Sequence, residues 1–150
     1  MSDQSDRIAI ERIYIRYCSV IDCKDFDRFD EIFTADTFGD YTQAYGADAV
    51  RHGRDELVAI MKQNLGESSN CGATHHNVLN IEIDVNGDSA AATVNYYAVH
   101  RGVRDHEGAL YSMWGRYHDD LVRTDNGWRI ARRRYMLSLS EGPVVTSVPR

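Results

Sequence analysis

A carboxylate, a phenol and two imidazoles fall in stretches of this chain that otherwise read as buried. Asp22 lies near the end of an apolar helix, Tyr41 on a short strand, and His76 and His100 on two strands able to pair. Such a set supplies a base, the partner that orients it and hydrogen-bond donors, which is enough to move a proton next to a carbonyl.

Each of these residues also has a plainer reading. Asp22 fits a solvated position in the turn Asp22-Cys23-Lys24-Asp25. His75 and His76 are neighbours on a strand and point to opposite faces, so at most one of them faces a pocket. His100 fits a core histidine with satisfied hydrogen bonds, although Val94, Tyr96, Ala98 and His100 share one face, a parity that suits a cavity-lining row. The pair Tyr96-Tyr97 and the residues Trp114 and Trp128 read as packing. Asp22, His76 and His100 also make up a two-histidine, one-carboxylate set of the kind that holds iron or zinc. HExxH, CxxC and repeated DxD spacings are missing, however, so the expectation is no metal and no cofactor. A Cys71 nucleophile beside His75 or His76 lacks a readable oxyanion-hole motif, and there is no glycine-rich phosphate loop.

These residues must be positioned by a helical first half and a strand-rich second half. From Ser5 to Ile21, the residues Ile10, Ile13, Tyr14, Tyr17, Cys18 and Ile21 recur at three- and four-residue steps, predicting a helix with Ser5 as its N-cap. A short helix fits Asp25 to Phe33 with Asp25 as cap, Thr37 to Tyr41 reads as a strand, Gln43 to Gly53 as a loop and Arg54 to Leu65 as a third helix. Beyond Gly72, Thr74 to Val85 places Leu79, Ile81, Ile83 and Val85 on one face. The Asn86-Gly87 turn leads into Ser89 to Arg101, and Tyr111 to Arg123 and Trp128 to Leu139 follow. Helices followed by a hairpin-linked antiparallel meander predict an α+β fold with the helices on one face of a curved sheet.

Composition bounds what this domain does. With 150 residues, 43% hydrophobic and 27% charged, the chain fits one domain. Its net charge of −6, from 17 basic and 23 acidic side chains, and the lack of a basic-aromatic motif around Arg132, Arg133 and Arg134 argue against nucleic acid. No stretch approaches the roughly 20 apolar residues that span a bilayer, and the acidic start MSDQSDR has no apolar leader core, so a cytoplasmic protein is expected. Three cysteines, Cys18, Cys23 and Cys71, without paired spacing suit reduced thiols.

Ordered along the chain, Ile13 to Tyr17, Ile21-Asp22, Phe33, Gly53-Arg54, Thr74-His75-His76, Asn80, Asn86-Gly87-Asp88, Tyr117 and Gly127-Trp128-Arg129-Ile130 resemble the SnoaL-like branch of the nuclear-transport-factor-2-like superfamily. Each piece is weak alone; their order and spacing over about the whole chain carry the likeness. The resemblance implies a cone-shaped α+β barrel over residues 1–142, three helices packed in a mainly antiparallel sheet around a pocket, with 143–150 as a loosely held C-terminal arm. Its members include scytalone dehydratase, hexachlorocyclohexane dehydrochlorinase, bile-acid dehydratase, ketosteroid isomerase and polyketide cyclases, besides domains that only bind or assemble, so fold alone does not decide function.

Residue by residue, the resemblance places Asp22 and His76 as a catalytic Asp–His dyad and His100 as a second catalytic histidine. Tyr17, Tyr41 and Arg133 become substrate contacts, with Arg132 and Arg134 as one-residue alternatives to Arg133. The function so implied is a cofactor-independent, dehydratase-like lyase that removes a proton next to a carbonyl on a small apolar cyclic substrate. Isomerase or cyclase chemistry and a non-catalytic binding or assembly role stand as alternatives. A homo-oligomer, dimer or trimer, formed through the outer sheet face near Tyr111 and Trp114 is expected.

Overall fold

The computed structural model describes residues 3–147. Helix α1 (Asp3–Asp22) is followed by a 3₁₀ turn (Phe26–Glu31), strand β1 (Phe33–Asp40), a single-turn helix α2 (Thr42–Tyr45), strand β2 (Val50–His52) and helix α3 (Arg54–Leu65). Four long strands complete the chain: β3 (Cys71–Asn86), β4 (Ser89–Gly102), β5 (Leu110–Thr124) and β6 (Gly127–Glu141). They form one six-stranded sheet in the order β2-β1-β6-β5-β4-β3, antiparallel except where β1 lies parallel to β6. This is the predicted α+β fold, with the sheet curved around the helices but open, ending at β2 and β3.

Alternation builds the inner face. On β4 every second residue from Ala90 to Gly102 is buried, and on β5 the buried set is Tyr111, Met113, Gly115, Tyr117, Asp119 and Leu121. Against this face lies the stripe of α1, with Ile10, Ile13, Tyr14, Tyr17, Val20 and Ile21 at most 4% exposed, each large apolar side chain contributing roughly 1.5–3 kcal/mol of burial. Phe26, Phe29 and Phe33 fill the space beside Tyr17, ring centroids 5.2–6.2 Å apart.

Several expectations are corrected. The first helix starts at Asp3, so Ser5 lies inside it rather than capping it, and Asp25 makes no side-chain cap on what is a 3₁₀ turn rather than an α-helix. The expected loop from Gln43 to Gly53 contains β2, and the tail of α2 with it, because Val50 to His52 pairs with Phe38 to Asp40. In β3 a bulge between Leu79 and Glu82, with Asn80 in the left-handed region at φ 50°, interrupts the single apolar face; Leu79 is 45% exposed while Ile83 is buried. The arm is docked over part of its length: Val145 is fully buried and Asn70 donates its backbone N–H to the Ser147 carbonyl at 2.9 Å. Residues 148–150 lie outside the described residues. Among the described residues no helix is long and apolar enough to cross a membrane.

Candidate active site

Helix α1 ends at Asp22, and the chain reverses through Lys24, in the left-handed region at φ 58°, whose ammonium donates to the carbonyls of Leu65 and Cys71. This ties the helix end to the start of β3. Because β3 is a sheet edge, its backbone has N–H groups without a strand partner, and one of them, on His76, donates to Asp22 Oδ2 at 3.0 Å. On the same strand, Thr74 Oγ1 donates to Asp22 Oδ1 at 2.8 Å and His76 Nδ1 lies 2.7 Å from that oxygen. The strand's alternation decides between the two adjacent histidines: the His76 side chain is 8% exposed and that of His75 70%.

Burial raises the Asp22 pKa, but hydrogen bonds from the His76 ring and backbone and from Thr74 outweigh it and hold the group below its ordinary value. Asp22 is therefore a carboxylate, which only accepts. His76 Nδ1 must then carry a proton, which makes Nε2 the nitrogen able to act as a base.

His76 Nε2 faces His100 Nε2 at 3.3 Å. His100 descends from β4 on the buried face, with Tyr111 edge-on at a centroid distance of 6.4 Å. Burial, followed by the neighbouring His76, pushes the His100 pKa down to about 3, so its ring is neutral at physiological pH. A neutral His100 can donate Nε2–H to His76, which places its own lone pair on Nδ1; that atom is buried and has no partner.

His76 and His100 form part of the wall of a cavity of about 230 Å³ that also takes in Tyr17, Tyr41, Tyr96, Met113, Tyr117 and Tyr135. This is below the common range of about 300–1,000 Å³ for ligand pockets and restricts the site to a compact ligand. Tyr41 sits just past the end of β1, at the start of α2, rather than on the strand, and its buried hydroxyl has no partner. Burial drives its pKa upward, so it is a donor. A Cβ at Gly39 would come within 2.7 Å of the Tyr41 ring, so glycine there makes room for it.

Arg133 is placed differently from the expectation of a substrate contact. A register shift between Asp120 and Leu121, opposite Ile130 and Arg132, turns Arg133 inward out of the run Arg132-Arg133-Arg134. Its guanidinium is fully buried, bonded to Asp119 at 2.8–3.3 Å, and lies 4.4 Å from the Tyr17 ring centroid and 4.0 Å from that of Tyr117. Tyr14 donates to the same Asp119 at 3.0 Å. Arg133 thus lies outside the cavity wall, behind two tyrosines that line it. One nitrogen, Nη1, has no partner.

Asp119, Tyr45 and Tyr135 were not expected at the site; Tyr96, read as packing, lines the cavity on the row that its parity with His100 gave. Tyr135 becomes legible only once Arg133 is known to point inward, two residues earlier on β6, and Tyr45 belongs to a helical turn that the sequence pattern does not show. The metal alternative fares poorly on donor chemistry, because the Asp22 oxygens are occupied by Thr74 and His76. Among the described residues no group of three or more His, Cys, Asp or Glu could hold a metal ion. Burial lifts the Cys71 thiol to about 11, which disfavours the thiolate that a nucleophile needs.

Comparison with known proteins agrees with this architecture. Residues 2–134 match the model of the SnoaL-like domain. Uncharacterised proteins of Mycobacterium tuberculosis and Mycobacterium bovis are 34% identical over 135 residues, covering 89% of this chain and 86% of theirs. Among solved structures, the Kfla4162 protein of Kribbella flavida superposes with a TM-score of 0.85 at 21% identity, covering 93% of this chain and 95% of its own. A protein of Novosphingobium aromaticivorans provisionally described as a scytalone dehydratase gives 0.81 at 24%, covering 98% and 93%. Hexachlorocyclohexane dehydrochlorinase LinA-type3 of Novosphingobium barchaimii gives 0.77 at 14%, covering 98% and 97%. At these identities the superpositions speak to the fold alone. With a family model matched over most of its length and a nuclear-transport-factor-2-like fold, the chain belongs to the SnoaL-like domain family.

Proposed function

We propose that the protein is a cofactor-independent lyase that removes a proton α to a carbonyl on a small apolar ring compound. The observation that carries this reading is the 2.7 Å contact between Asp22 Oδ1 and His76 Nδ1 at the wall of a partly open, mostly apolar cavity. Asp22 fixes the His76 tautomer and stabilises the imidazolium formed when Nε2 takes the proton. As the C–H bond breaks, charge develops on the carbonyl oxygen, and the unpartnered Tyr41 hydroxyl is a donor for it.

Dehydration balances the protons. A hydroxyl on the β carbon leaves as its C–O bond breaks and the C=C bond forms, taking up the proton that His76 acquired and departing as water. His100 is neutral and is no acid by itself. Its Nε2–H, 3.3 Å from His76 Nε2, orients the His76 ring before the substrate arrives, and the proton that His76 takes up goes directly to the leaving hydroxyl. The same enolate reprotonated at another carbon would give isomerisation. Incubation with a panel of small cyclic β-hydroxy ketones tests the reading: loss of water by mass spectrometry supports it, and a tightly bound ketone recovered unchanged supports a binding module instead.

A cytoplasmic setting suits the three unpaired cysteines. For self-association the outer sheet face offers Trp114 stacked on Tyr97 at 5.1 Å and the exposed Leu139, whereas Tyr111 is buried and plays no part there. Sedimentation of wild type and Trp114→Glu distinguishes a dimer or trimer from a monomer.

A further inference from the structure

Three phenols in the cavity carry one proton more than they can use among themselves. Tyr96 Oη lies 2.5 Å from Tyr135 Oη, and Tyr45 Oη lies 3.4 Å from the same atom. Three hydroxyls bring three protons and the two contacts use two, whichever way the bonds run. Within the protein, the remaining proton has the Met113 sulfur, 4.0 Å from Tyr135 Oη, and a thioether is a weak acceptor. Tyr45, at 48% exposure, is the member most open to solvent.

The rings are held so that their oxygens cannot swing away to other partners. Tyr96 stacks on Tyr117 at 4.7 Å and on Tyr135 at 5.3 Å, and Tyr135 is flanked by Tyr41 and Tyr45 at 5.4 and 5.6 Å. Gly115, across from Tyr96 on β5, keeps the backbone bare: a Cβ there would fall 2.6 Å from Tyr96 Oη and 2.1 Å from the Met136 carbonyl oxygen. Tyr96 and His100 share a face of β4 four residues apart, about 13 Å along the strand. Tyr96 and His100 are therefore set apart along the cavity wall.

We propose that the Tyr45–Tyr135–Tyr96 chain is a second polar subsite that accepts an oxygen on the ligand, such as a ketone or ether, remote from the carbon facing His76. The cavity then selects compact ring compounds with acceptor oxygens on opposite sides. This rests on the reading of the His76 end as the carbonyl end. A bound acceptor would take the spare proton and align the chain, each phenol strengthening the next.

The test compares two saturated bicyclic ketones of the same skeleton, 1-decalone and decalin-1,5-dione, which differ in the second oxygen, by calorimetric titration. Wild type should bind the dione about 5-fold more tightly, as one net hydrogen bond gives. In Tyr45→Phe/Tyr96→Phe/Tyr135→Phe this preference should vanish or reverse while 1-decalone affinity stays within about 2-fold. Tyr41→Phe and His76→Ala should both keep the preference, which separates this subsite from the dyad: a failure of the proton-transfer reading shows as turnover independent of His76 and leaves the preference intact. Equal affinities in wild type, no binding of the dione, or a preference persisting in the triple variant would overturn the proposal. Should the triple variant not fold, a crystal structure of wild type with the dione decides: a ketone oxygen within about 3.2 Å of one of the three phenols supports it, and both oxygens lying elsewhere overturn it.

Discussion

Asp22 holds His76 at two atoms, accepting the backbone N–H at 3.0 Å and the ring Nδ1–H at 2.7 Å. One carboxylate thus sets both where the strand edge lies and which imidazole nitrogen carries the proton. In Asp22→Asn one oxygen is replaced by an NH₂ group, which would face either an N–H it cannot bond or the ring nitrogen. In the second case it pulls the Nδ1 lone pair toward itself and moves the proton to Nε2, the nitrogen that should act as base. Turnover of a cyclic β-hydroxy ketone should fall about 10³–10⁴-fold, as when the orienting carboxylate of a histidine base is amidated elsewhere. The circular dichroism spectrum should remain that of wild type.

Buried His100 makes stability depend on acidity in a defined window. Its pKa is lowered from 6.5 to about 3 in the folded protein, so between those values the unfolded chain binds a proton that the folded one does not. Stability from this group is therefore complete above the ordinary value and is lost as pH falls toward 3, at about 1.4 kcal/mol per pH unit in mid-window. Urea unfolding at pH 4, 5, 6 and 7 should show this slope in wild type and a shallower one in His100→Gln. Asp22, lowered from 3.8, acts further down, contributing stability above its ordinary value and losing it as pH falls through its folded one.

Much of this site was legible in the sequence, and the boundary of legibility has a physical cause. Period-two alternation on β4 set His100 on the face of Val94, Tyr96 and Ala98, whereas Asp22 stood at the edge of the α1 stripe and parity on β3, interrupted by the bulge at Asn80, did not choose His76 over His75; the family resemblance chose both. Arg133 lies just past a register shift, where parity changes, so strand periodicity could not choose among three consecutive arginines. Leu79 was misplaced for the same reason, standing beside the bulge at Asn80. Tyr41 and Tyr45 depend on the chain leaving β1 into a single helical turn, which four residues are too few to announce. The Asp119–Arg133 pair joins charges on adjacent strands, and only packing behind Tyr17 and Tyr117 shows that it is buried.

Tyr41→Phe should separate stability from chemistry. The hydroxyl is buried without a partner, and such a group costs about 1–3 kcal/mol of desolvation, so its removal should leave stability unchanged or raise it by up to about 1 kcal/mol. If that hydroxyl donates to the developing enolate, the same change lowers kcat about 10²–10³-fold. Thermal unfolding and steady-state turnover on one preparation read both effects.

Arg133 and Asp119 should behave as a pair. Removing one partner leaves the other charge buried and alone, so Arg133→Ala should destabilise the fold by about 3–5 kcal/mol and Asp119→Ala similarly. The double variant Arg133→Met/Asp119→Leu, with both charges gone and the volume kept, should regain most of the loss. Urea unfolding of wild type, Arg133→Met, Asp119→Leu and this double variant gives the coupling energy directly. An additive double variant would show that the pair does not hold together what the structure shows it joining.

The central claim, that His76 held by Asp22 is a base for carbon acids, is tested most directly by α-proton exchange of 1-decalone in D₂O, followed by NMR. This measurement does not depend on knowing the natural substrate. Wild type should accelerate exchange at least about 10²-fold over buffer, the lower range of positioned general-base catalysis, and His76→Ala should return it to the buffer rate with the fold intact. Exchange by His76→Ala as fast as by wild type would contradict the account.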